Sequence, residues 1–326
     1  MKVGFTTTIP VEIILAAGHV PVDLNNVFVS HSDAQKLMRR AELDGYPRNV
    51  CSWIKGIYGT VMELEPVDKL IMVTEGDCAN TQSMSETFAL SESPPGISFA
   101  FPRDRNENRL DFEMEKLARE MGTSMEHAER CRRDLKPVRK DLSFLDKLTW
   151  KTGQVKGSEN HRWLLSSSDF EGDPEKFHEN LRNFLSEAVK RPVKNNPGPR
   201  LAFTGVPPIF TDLHEYLEEK GAGIVLNEMQ RQFSMPYDCD SLTEQYLLYR
   251  YPYDVFFRLE DLKKEISKRR IQGVIHYVQA FCHRGIEDVV LRRELDVPFV
   301  TLEGDVPGPL DARTKLRLDI FLEMLA

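Results

Sequence analysis

The segment KLIMVTEGDCAN, residues 69–80, opens with an almost wholly apolar run and closes with a polar turn. A continuous apolar run of this length is typical of a strand that is covered on both faces in a parallel sheet. Gly76 permits a sharp turn at the carboxyl end of the strand, and Cys78 follows it. Because ligands of open α/β sheets bind at the carboxyl ends of strands, the segment predicts a parallel sheet with a cysteine at its ligand-binding edge.

Strand and helix patterns alternate on both sides of this segment. Upstream, residues 2–6 have a strand pattern, Pro10 and Gly18 bound a short helix, and residues 19–24 form the next strand. Downstream, strands are predicted at 200–205, 223–227, 273–278 and 298–302, and helices at 211–220 and 311–325. Such alternation is typical of repeated strand–helix units in a mostly parallel sheet.

The middle of the chain has a different character, with more charge and fewer β-branched residues. Apolar residues recur there at helical spacing, at Leu110, Met114, Leu117 and Met121, and we interpret this stripe as core packing. A segment rich in proline, asparagine and glycine, residues 192–199, then forms a linker. We therefore expect three parts: an N-terminal α/β domain (1–103), a helical insert (104–195) and a C-terminal α/β domain (196–326).

Length and composition narrow the class of protein. A chain of 326 residues exceeds what one hydrophobic core usually serves, which favours two α/β units. A content of 41% hydrophobic and 29% charged residues excludes a wholly disordered or collagen-like chain. A net charge of -8 argues against a protein that tracks nucleic-acid phosphates.

The lack of a recognisable targeting signal and the number and spacing of the cysteines indicate a reducing compartment. No stretch approaches the roughly 20 apolar residues of a membrane span, and the N-terminus has no signal-peptide pattern. We expect a cytoplasmic protein without structural disulfides. The five cysteines are an odd number and lie far apart, so their thiols are available for metal binding or catalysis.

Three of the cysteines lie at junctions between elements. Cys78 follows the strand at 69–74, Cys282 follows the strand GVIHYV (273–278), and Cys51 stands where a helix begins. A helix N-terminus stabilises a thiolate. Cysteines so distant in sequence can converge only through the fold, at the interface of the two α/β units, and three thiolates suggest a cubane with one iron not held by cysteine. The alternative is three unrelated buried thiols.

The other two cysteines have weaker contexts. Cys131 lies in a charged helical stretch, and we interpret it as structural. Cys239 lies in a predicted loop, where a role as an accessory ligand stays open.

Several motifs resemble those of the 2-hydroxyacyl-CoA dehydratase and benzoyl-CoA reductase family, in its iron–sulfur D-component type. They run along most of the chain: GFTTTIPVE (4–12), the cysteine at 51, GDCAN (76–80), FCH (281–283), LEGD (302–305) and FLEML (321–325). The resemblance implies two Rossmann-like parallel-sheet domains with a [4Fe–4S] cluster in the cleft between them. By the same resemblance, Cys51, Cys78 and Cys282 are the cluster ligands.

The resemblance also implies partners and a reaction class. Family subunits pair as a homodimer or with a related second subunit, and an ATP-dependent activator protein injects one electron at very low potential. The substrate is an acyl-CoA, which is dehydrated or reduced. Asn25 and Asn26 stand where some relatives place a carboxylate, so dehydration and reduction both stay open. A double cubane needs six cysteines, more than the five present, and is disfavoured unless subunits share ligands.

Polar residues near the cysteines are candidates for catalysis. Thr7, within the run Thr6 to Thr8, could bind a substrate carbonyl, or one of these threonines could cap the helix that Pro10 begins. Glu75 could act as a base, with turn formation as the alternative. His283 could transfer protons, and so could its neighbour His276, with structural roles as the alternative.

We therefore expect an iron–sulfur reductase or dehydratase subunit. A second hypothesis is an electron-transfer or scaffold subunit of a larger redox complex, without a substrate of its own. A third is a zinc-binding or metal-free structural protein.

Overall fold

The computed structural model describes residues 1–64, 66–91, 93–194 and 198–325. The chain divides into two compact units, each assembled from three segments. Unit 1 comprises Met1–Arg139, Ser166–His178 and Met235–Asp254, and unit 2 comprises Lys140–Leu165, Glu179–Ser234 and Val255–Ala326. Residues 104–195, predicted as a helical insert, are largely helical and contribute to both units. Asn195, Asn196 and Pro197 of the predicted linker lie outside the described residues.

The described residues contain strands and helices in regular alternation at both ends of the chain. The strands are β1 (Lys2–Phe5), β2 (Val20–Asp23), β3 (Lys69–Glu75), β4 (Gly96–Ala100), β5 (Arg200–Gly205), β6 (Gly223–Asn227), β7 (Gly273–Gln279) and β8 (Phe299–Gly304). The α-helices are α1 (Val11–Ala16), α2 (Leu24–Ser30), α3 (Ala34–Leu43), α4 (Ser52–Leu64), α5 (Ala79–Phe88), α6 (Glu107–Met121), α7 (Met125–Asp134), α8 (Lys136–Lys147), α9 (Gly157–Ser166), α10 (Pro174–Ala188), α11 (Leu213–Glu219), α12 (Glu228–Phe233), α13 (Leu242–Leu248), α14 (Val255–Arg269), α15 (Glu287–Glu294) and α16 (Ala312–Leu325).

Unit 1 is built on a parallel sheet with the strand order β2-β1-β3-β4 among the described residues. Its central strands are apolar on both faces: Val3, Phe5, Leu70, Ile71 and Val73 are all fully buried. Burial on both faces explains why the segment at 69–74 has an unbroken apolar pattern, and it confirms that strand.

Unit 2 repeats this arrangement with the strand order β6-β5-β7-β8, again entirely parallel in the described residues. The two sheets confirm the predicted α/β class with two Rossmann-like parallel sheets. The apolar stripe of α6 is buried, with Leu110 and Met114 fully enclosed, so its interpretation as core packing is also confirmed.

The strand order of each unit places a topological switch point at its centre. In unit 1 the chain leaves β1 toward β2 on one side, and β3 lies on the other side. In unit 2, β5 and β7 hold the same positions. Ligands of open α/β sheets bind in the crevice outside the carboxyl ends of these two central strands. The residues that follow β1, β3, β5 and β7 are therefore candidates for ligand binding.

Candidate metal centre

Cys78 lies at the carboxyl end of a central strand, three residues after β3 ends. It is the N-cap residue of α5, with an extended backbone (φ −71°, ψ 133°), and its side chain caps no backbone N–H in the described structure. Its carbonyl oxygen accepts a hydrogen bond from the Thr81 amide at 2.9 Å. The thiol is therefore at a helix N-terminus, where the dipole favours the thiolate.

Cys282 holds the equivalent position in unit 2, three residues after β7 ends. It is the N-cap residue of the short 3-10 turn His283–Ile286 that leads into α15, and its backbone is extended in the same way (φ −83°, ψ 130°). Phe281, directly before it, has a left-handed backbone with φ 64°. A bulky residue in that region carries strain, and such strain clusters at ligand-binding positions.

Cys51 belongs to unit 1 and shares the surroundings of Cys78. It directly precedes α4, is 6% exposed, and its carbonyl oxygen accepts a hydrogen bond from the Lys55 amide at 3.2 Å. Cys51 and Cys78 pack on the same apolar cluster, together with Trp53 and Met84. Unit 1 thus has two helix-terminal cysteines that pack on one apolar cluster of side chains, and unit 2 has the third cysteine.

The chemistry of these positions fits an iron–sulfur cluster. Thiolates are its ligands, and each of the three cysteines stands at a helix start. Two buried donors in the first turns of α4 and α5, Trp53 Nε1 and Thr81 Oγ1, have no hydrogen-bond partner in the described structure. Such orphaned donors are expected where a bound group supplies the acceptors.

The described residues contain no ready-made binding site for a single metal ion. In the described residues, no three or more His, Cys, Asp or Glu side chains are grouped so as to hold a metal ion. The three cysteines of a cubane bind different irons, and so they stand farther apart than the ligands of one ion. The cluster and its three ligands stay a prediction.

The remaining cysteines have surroundings that favour structural roles. Burial, with the nearby charge of Glu12, raises the pKa of Cys131 to about 12. Burial also raises the pKa of Cys239, whose Sγ lies 3.6 Å from Nη1 of Arg132. At both positions burial disfavours the thiolate, which is the metal-binding form.

Thr7 is buried at the carboxyl end of β1, between two threonines with different roles. The Thr6 hydroxyl accepts a hydrogen bond from the Val73 amide at 3.2 Å and so helps to hold β1 against β3. The Thr8 hydroxyl is buried without a hydrogen-bond partner in the described structure. In the same described part, no side chain caps α1, whose N-cap is Pro10. The helix-capping alternative for these threonines is therefore not what the structure has.

Glu75, the last residue of β3, is engaged in surface interactions. Its carboxylate accepts hydrogen bonds from Nη2 of Arg109 at 3.0 Å and from the Arg103 amide at 3.1 Å. Both side chains of the ion pair are more than one-third exposed. This arrangement favours the turn-forming alternative for Glu75 over a role as base.

His283 directly follows Cys282, and its pKa lies below the ordinary value for histidine. Burial, aided by the charge of Arg284, lowers its pKa, so the imidazole is neutral at physiological pH and can accept a proton. His276 differs, because it is almost fully buried and its Nδ1 lies 2.8 Å from Oδ1 of Asp288. We therefore keep His283 as the proton-transfer candidate and assign His276 to the structure of the sheet.

A buried pair of carboxyl groups, which the sequence did not predict, lies at the end of β2. Oδ2 of Asp169 accepts a hydrogen bond from the Asp23 amide at 2.8 Å, and the Ser168 hydroxyl donates to Oδ2 of Asp23 at 2.6 Å. Burial raises the pKa of Asp23, and burial together with the Asp23 charge raises the pKa of Asp169 to about 7. The pair can hold a proton at neutral pH.

This pair adjoins Asn25, one of the two neighbouring amides at the start of α2. Nδ2 of Asn25 donates to Oδ1 of Asp23 at 2.8 Å and to the Thr6 carbonyl oxygen at 3.0 Å. A carboxyl group is thus present two residues before Asn25, at the same edge of the sheet. The sequence does contain one sign of this carboxyl group, because Asp23 ends a strand and caps the helix that follows.

Glu12 lies in the first resembling motif, but its surroundings are structural. It is fully buried, and its carboxylate accepts hydrogen bonds from Nε2 of Gln245 at 2.8 Å and from the Tyr246 hydroxyl at 2.9 Å. Arg139 completes the group as its ion-pair partner. These bonds connect α1 to Arg139 and to α13, all within unit 1.

Comparison with protein families identifies the class. The family described as 2-hydroxyglutaryl-CoA dehydratase, D-component, matches residues 6–325. The chain belongs to the 2-hydroxyglutaryl-CoA dehydratase D-component family. This D-component match confirms the resemblance found in the sequence motifs, and it covers the three helix-terminal cysteines and every described strand except β1. No curated protein matches the chain significantly.

In the described part of the D-component chain, no helix is both long enough and apolar enough to cross a bilayer.

Proposed function

We propose that this D-component-type chain is the iron–sulfur subunit of a 2-hydroxyacyl-CoA dehydratase-like enzyme. Cys51, Cys78 and Cys282 hold one [4Fe–4S] cluster and leave one iron open. The observation that supports this most is the equivalent position of Cys78 and Cys282, each an extended N-cap residue three positions beyond a central strand. That position is the ligand-binding edge of an open α/β sheet.

When bound, the cluster supplies a low-potential electron and an iron that can accept a substrate oxygen. The chain supplies the surroundings. The N-termini of α4 and α5 favour the thiolate forms of Cys51 and Cys78. The neutral imidazole of His283 can accept a proton, and Thr7 offers a hydroxyl at the end of β1.

The Asp23 and Asp169 pair gives the same edge of unit 1 a group that holds a proton near pH 7. Dehydration requires a proton to be removed and a hydroxyl to leave, and an ionisable carboxyl group can transfer such a proton. The side-chain amides of Asn25 and Asn26 cannot. On this proposal the pair keeps dehydration open for the chain alongside reduction.

We further propose an acyl-CoA-type substrate, a second subunit that is either identical or related, and an ATP-dependent activator as the electron donor. The family description names a D-component, which is one part of a multi-component dehydratase and supports such an assembly.

The first experiment counts iron and acid-labile sulfide in protein purified without oxygen. Wild type is expected to hold four irons per chain, as a cubane requires. Cys→Ser changes at 51, 78 and 282 are each expected to remove most of that iron. Cys131→Ser and Cys239→Ser are the matched controls and are expected to retain it. Iron-free wild type, or equal losses in the control variants, would contradict the proposal.

The second experiment separates an enzyme from an electron carrier. Acyl-CoA is added to the reduced holoprotein, and the electron paramagnetic resonance spectrum of the cluster is recorded. A changed spectrum is expected if substrate binds at the open iron. An unchanged spectrum at saturating acyl-CoA would support an electron-transfer or scaffold subunit instead.

A further inference from the structure

Two buried hydrogen-bond donors lie in the first turns of the helices that follow Cys51 and Cys78. Trp53 is the second residue of α4, and Thr81 is the third residue of α5. The indole Nε1 of Trp53 and the hydroxyl of Thr81 are both buried, and neither has a hydrogen-bond partner in the described structure. A buried donor left unsatisfied costs about 1–3 kcal/mol, so native proteins keep few of them.

The helix backbone does not satisfy the Thr81 hydroxyl, although threonines elsewhere in the chain are satisfied in this way. The hydroxyl of Thr149 donates to the Leu145 carbonyl oxygen at 3.2 Å, and that of Thr152 donates to the Leu148 carbonyl oxygen at 3.0 Å. Such bonds to a residue four positions back are the ordinary solution for a helical threonine. Thr81 is 1% exposed and makes no such bond, since the residue four positions back precedes α5.

Both donors lie within three residues of a cysteine at the start of their helix. Cys78 is the N-cap of α5 and Thr81 is the third residue of that helix, a position from which side chains reach back to the N-cap residue. The Thr81 amide already donates to the Cys78 carbonyl oxygen at 2.9 Å. Trp53 stands two residues after Cys51, packs edge-on against Phe28 at 5.6 Å, and joins the apolar cluster of both cysteines.

We propose that Trp53 Nε1–H and Thr81 Oγ1–H donate hydrogen bonds to sulfur atoms of the cluster that Cys51 and Cys78 bind. This inference rests on the proposed function. Reduction adds negative charge to the sulfurs, so donors directed at them stabilise the reduced form and raise the reduction potential. The two side chains thus set how easily the cluster accepts its electron.

The test measures the reduction potential of the cluster in anaerobically purified holoprotein, by redox titration followed with electron paramagnetic resonance. Trp53→Phe and Thr81→Val are each expected to keep the wild-type iron content and to shift the potential to lower values. The double variant is expected to shift by the sum of both. Thr81→Ser keeps a hydroxyl and is expected to restore the wild-type potential.

Thr60 provides a matched control on α4. Its hydroxyl is also fully buried without a hydrogen-bond partner in the described structure, but it lies nine positions beyond Cys51. Thr60→Val is expected to leave the potential unchanged. Potentials in the Trp53 and Thr81 variants equal to that of the Thr60 variant would overturn the inference while leaving the cluster itself in place.

A measurement on unaltered protein covers the case in which a variant fails to fold. The chain has three tryptophans, and growth with ¹⁵N-indole tryptophan labels them all. A ¹⁵N hyperfine coupling to the reduced cluster is expected from the Trp53 hydrogen bond. An iron-loaded wild type without any such coupling would refute the Trp53 contact, whereas an iron-free wild type would refute the proposed function first.

Discussion

Asp169 gives the protein a pH-dependent stability that a single substitution should remove. Its side chain is 8% exposed, and burial beside Asp23 raises its pKa from 3.8 to about 7. Well below pH 3.8 both folded and unfolded chains are protonated at this group. Between those two pKa values the folded state keeps a proton that the unfolded state has lost. Stability therefore falls as the pH rises, and the full penalty is present above pH 7.

The size of this effect follows from the two pKa values. At about 1.4 kcal/mol per pKa unit, the full penalty is about 4 kcal/mol, of which about 3 kcal/mol develops between pH 5 and pH 8.5. Asp169→Asn removes this titration but also replaces one of two carboxylate acceptors by an amide donor. That loss costs about 1–3 kcal/mol at every pH, since the Asp23 and Glu171 amides both donate to Asp169.

The assay is urea unfolding of wild type, Asp169→Asn and the exposed control Asp238→Asn at pH 5.0, 7.0 and 8.5. The free energy of unfolding of Asp169→Asn relative to wild type is expected to improve by about 3 kcal/mol from pH 5 to pH 8.5. The control is expected to follow wild type throughout. A constant difference between Asp169→Asn and wild type across the three pH values would refute the reasoning.

Three further predictions concern packing and buried polar groups, each measured as the free energy of unfolding in urea. Gly59→Ala should lower it by on the order of 3 kcal/mol, because the added methyl group overlaps a backbone carbonyl oxygen of α3. Gln230→Leu should raise the free energy of unfolding by about 1 kcal/mol, because both amide atoms of this fully buried side chain lack hydrogen-bond partners in the described structure. Gln232→Leu should lower it, because Nε2 of Gln232 donates a hydrogen bond to Asp261. Arg258→Met should lower it by about 3–5 kcal/mol, because the buried Glu228 carboxylate loses its cation.

Each of these has a result that would count against it. A Gly59→Ala protein as stable as wild type would mean that α3 and α4 separate at little cost. Equal effects at Gln230 and Gln232 would mean that Gln230 is satisfied by solvent. For the ion pair, adding Glu228→Gln to Arg258→Met should recover part of the loss. No recovery would show that the cost comes from lost packing of the arginine.

The sheets could be predicted because their central strands are continuous apolar runs bounded by glycine and proline. β3 and β7 were both recognised in this way, and so was the helix from Pro10 to Gly18. β4 was missed, since its exposed and buried residues alternate over only five positions after a proline pair. Short edge strands carry too little periodic signal to stand out from loops.

The assembly of the units was beyond the reach of periodicity. Unit 1 recruits residues 166–178 and 235–254, far along the chain from β1. The contact of Asp23 with Asp169 joins residues 146 positions apart, and no local pattern signals such a pairing. The raised pKa of Asp169 depends on that contact, so it could not have been inferred from either residue alone.

Part of the candidate site could be predicted from the sequence, and part could not. Cysteines at strand ends and helix starts are visible in the sequence, because the turn residues around them mark the junctions. The orphaned donors of Trp53 and Thr81 are not visible, since a tryptophan or threonine near a helix start most often packs or caps. Only the absence of a hydrogen-bond acceptor in the described structure distinguishes them.

The matching strand orders of the two units have an evolutionary consequence. Two halves with the same topology, each with a cysteine three residues beyond its third strand in sheet order, are what duplication of an ancestral half-length gene would leave. The halves differ in one respect, because unit 1 has a second helix-terminal thiol at Cys51. On the proposed function, this asymmetry gives a four-iron group three thiol ligands and leaves one of its irons open.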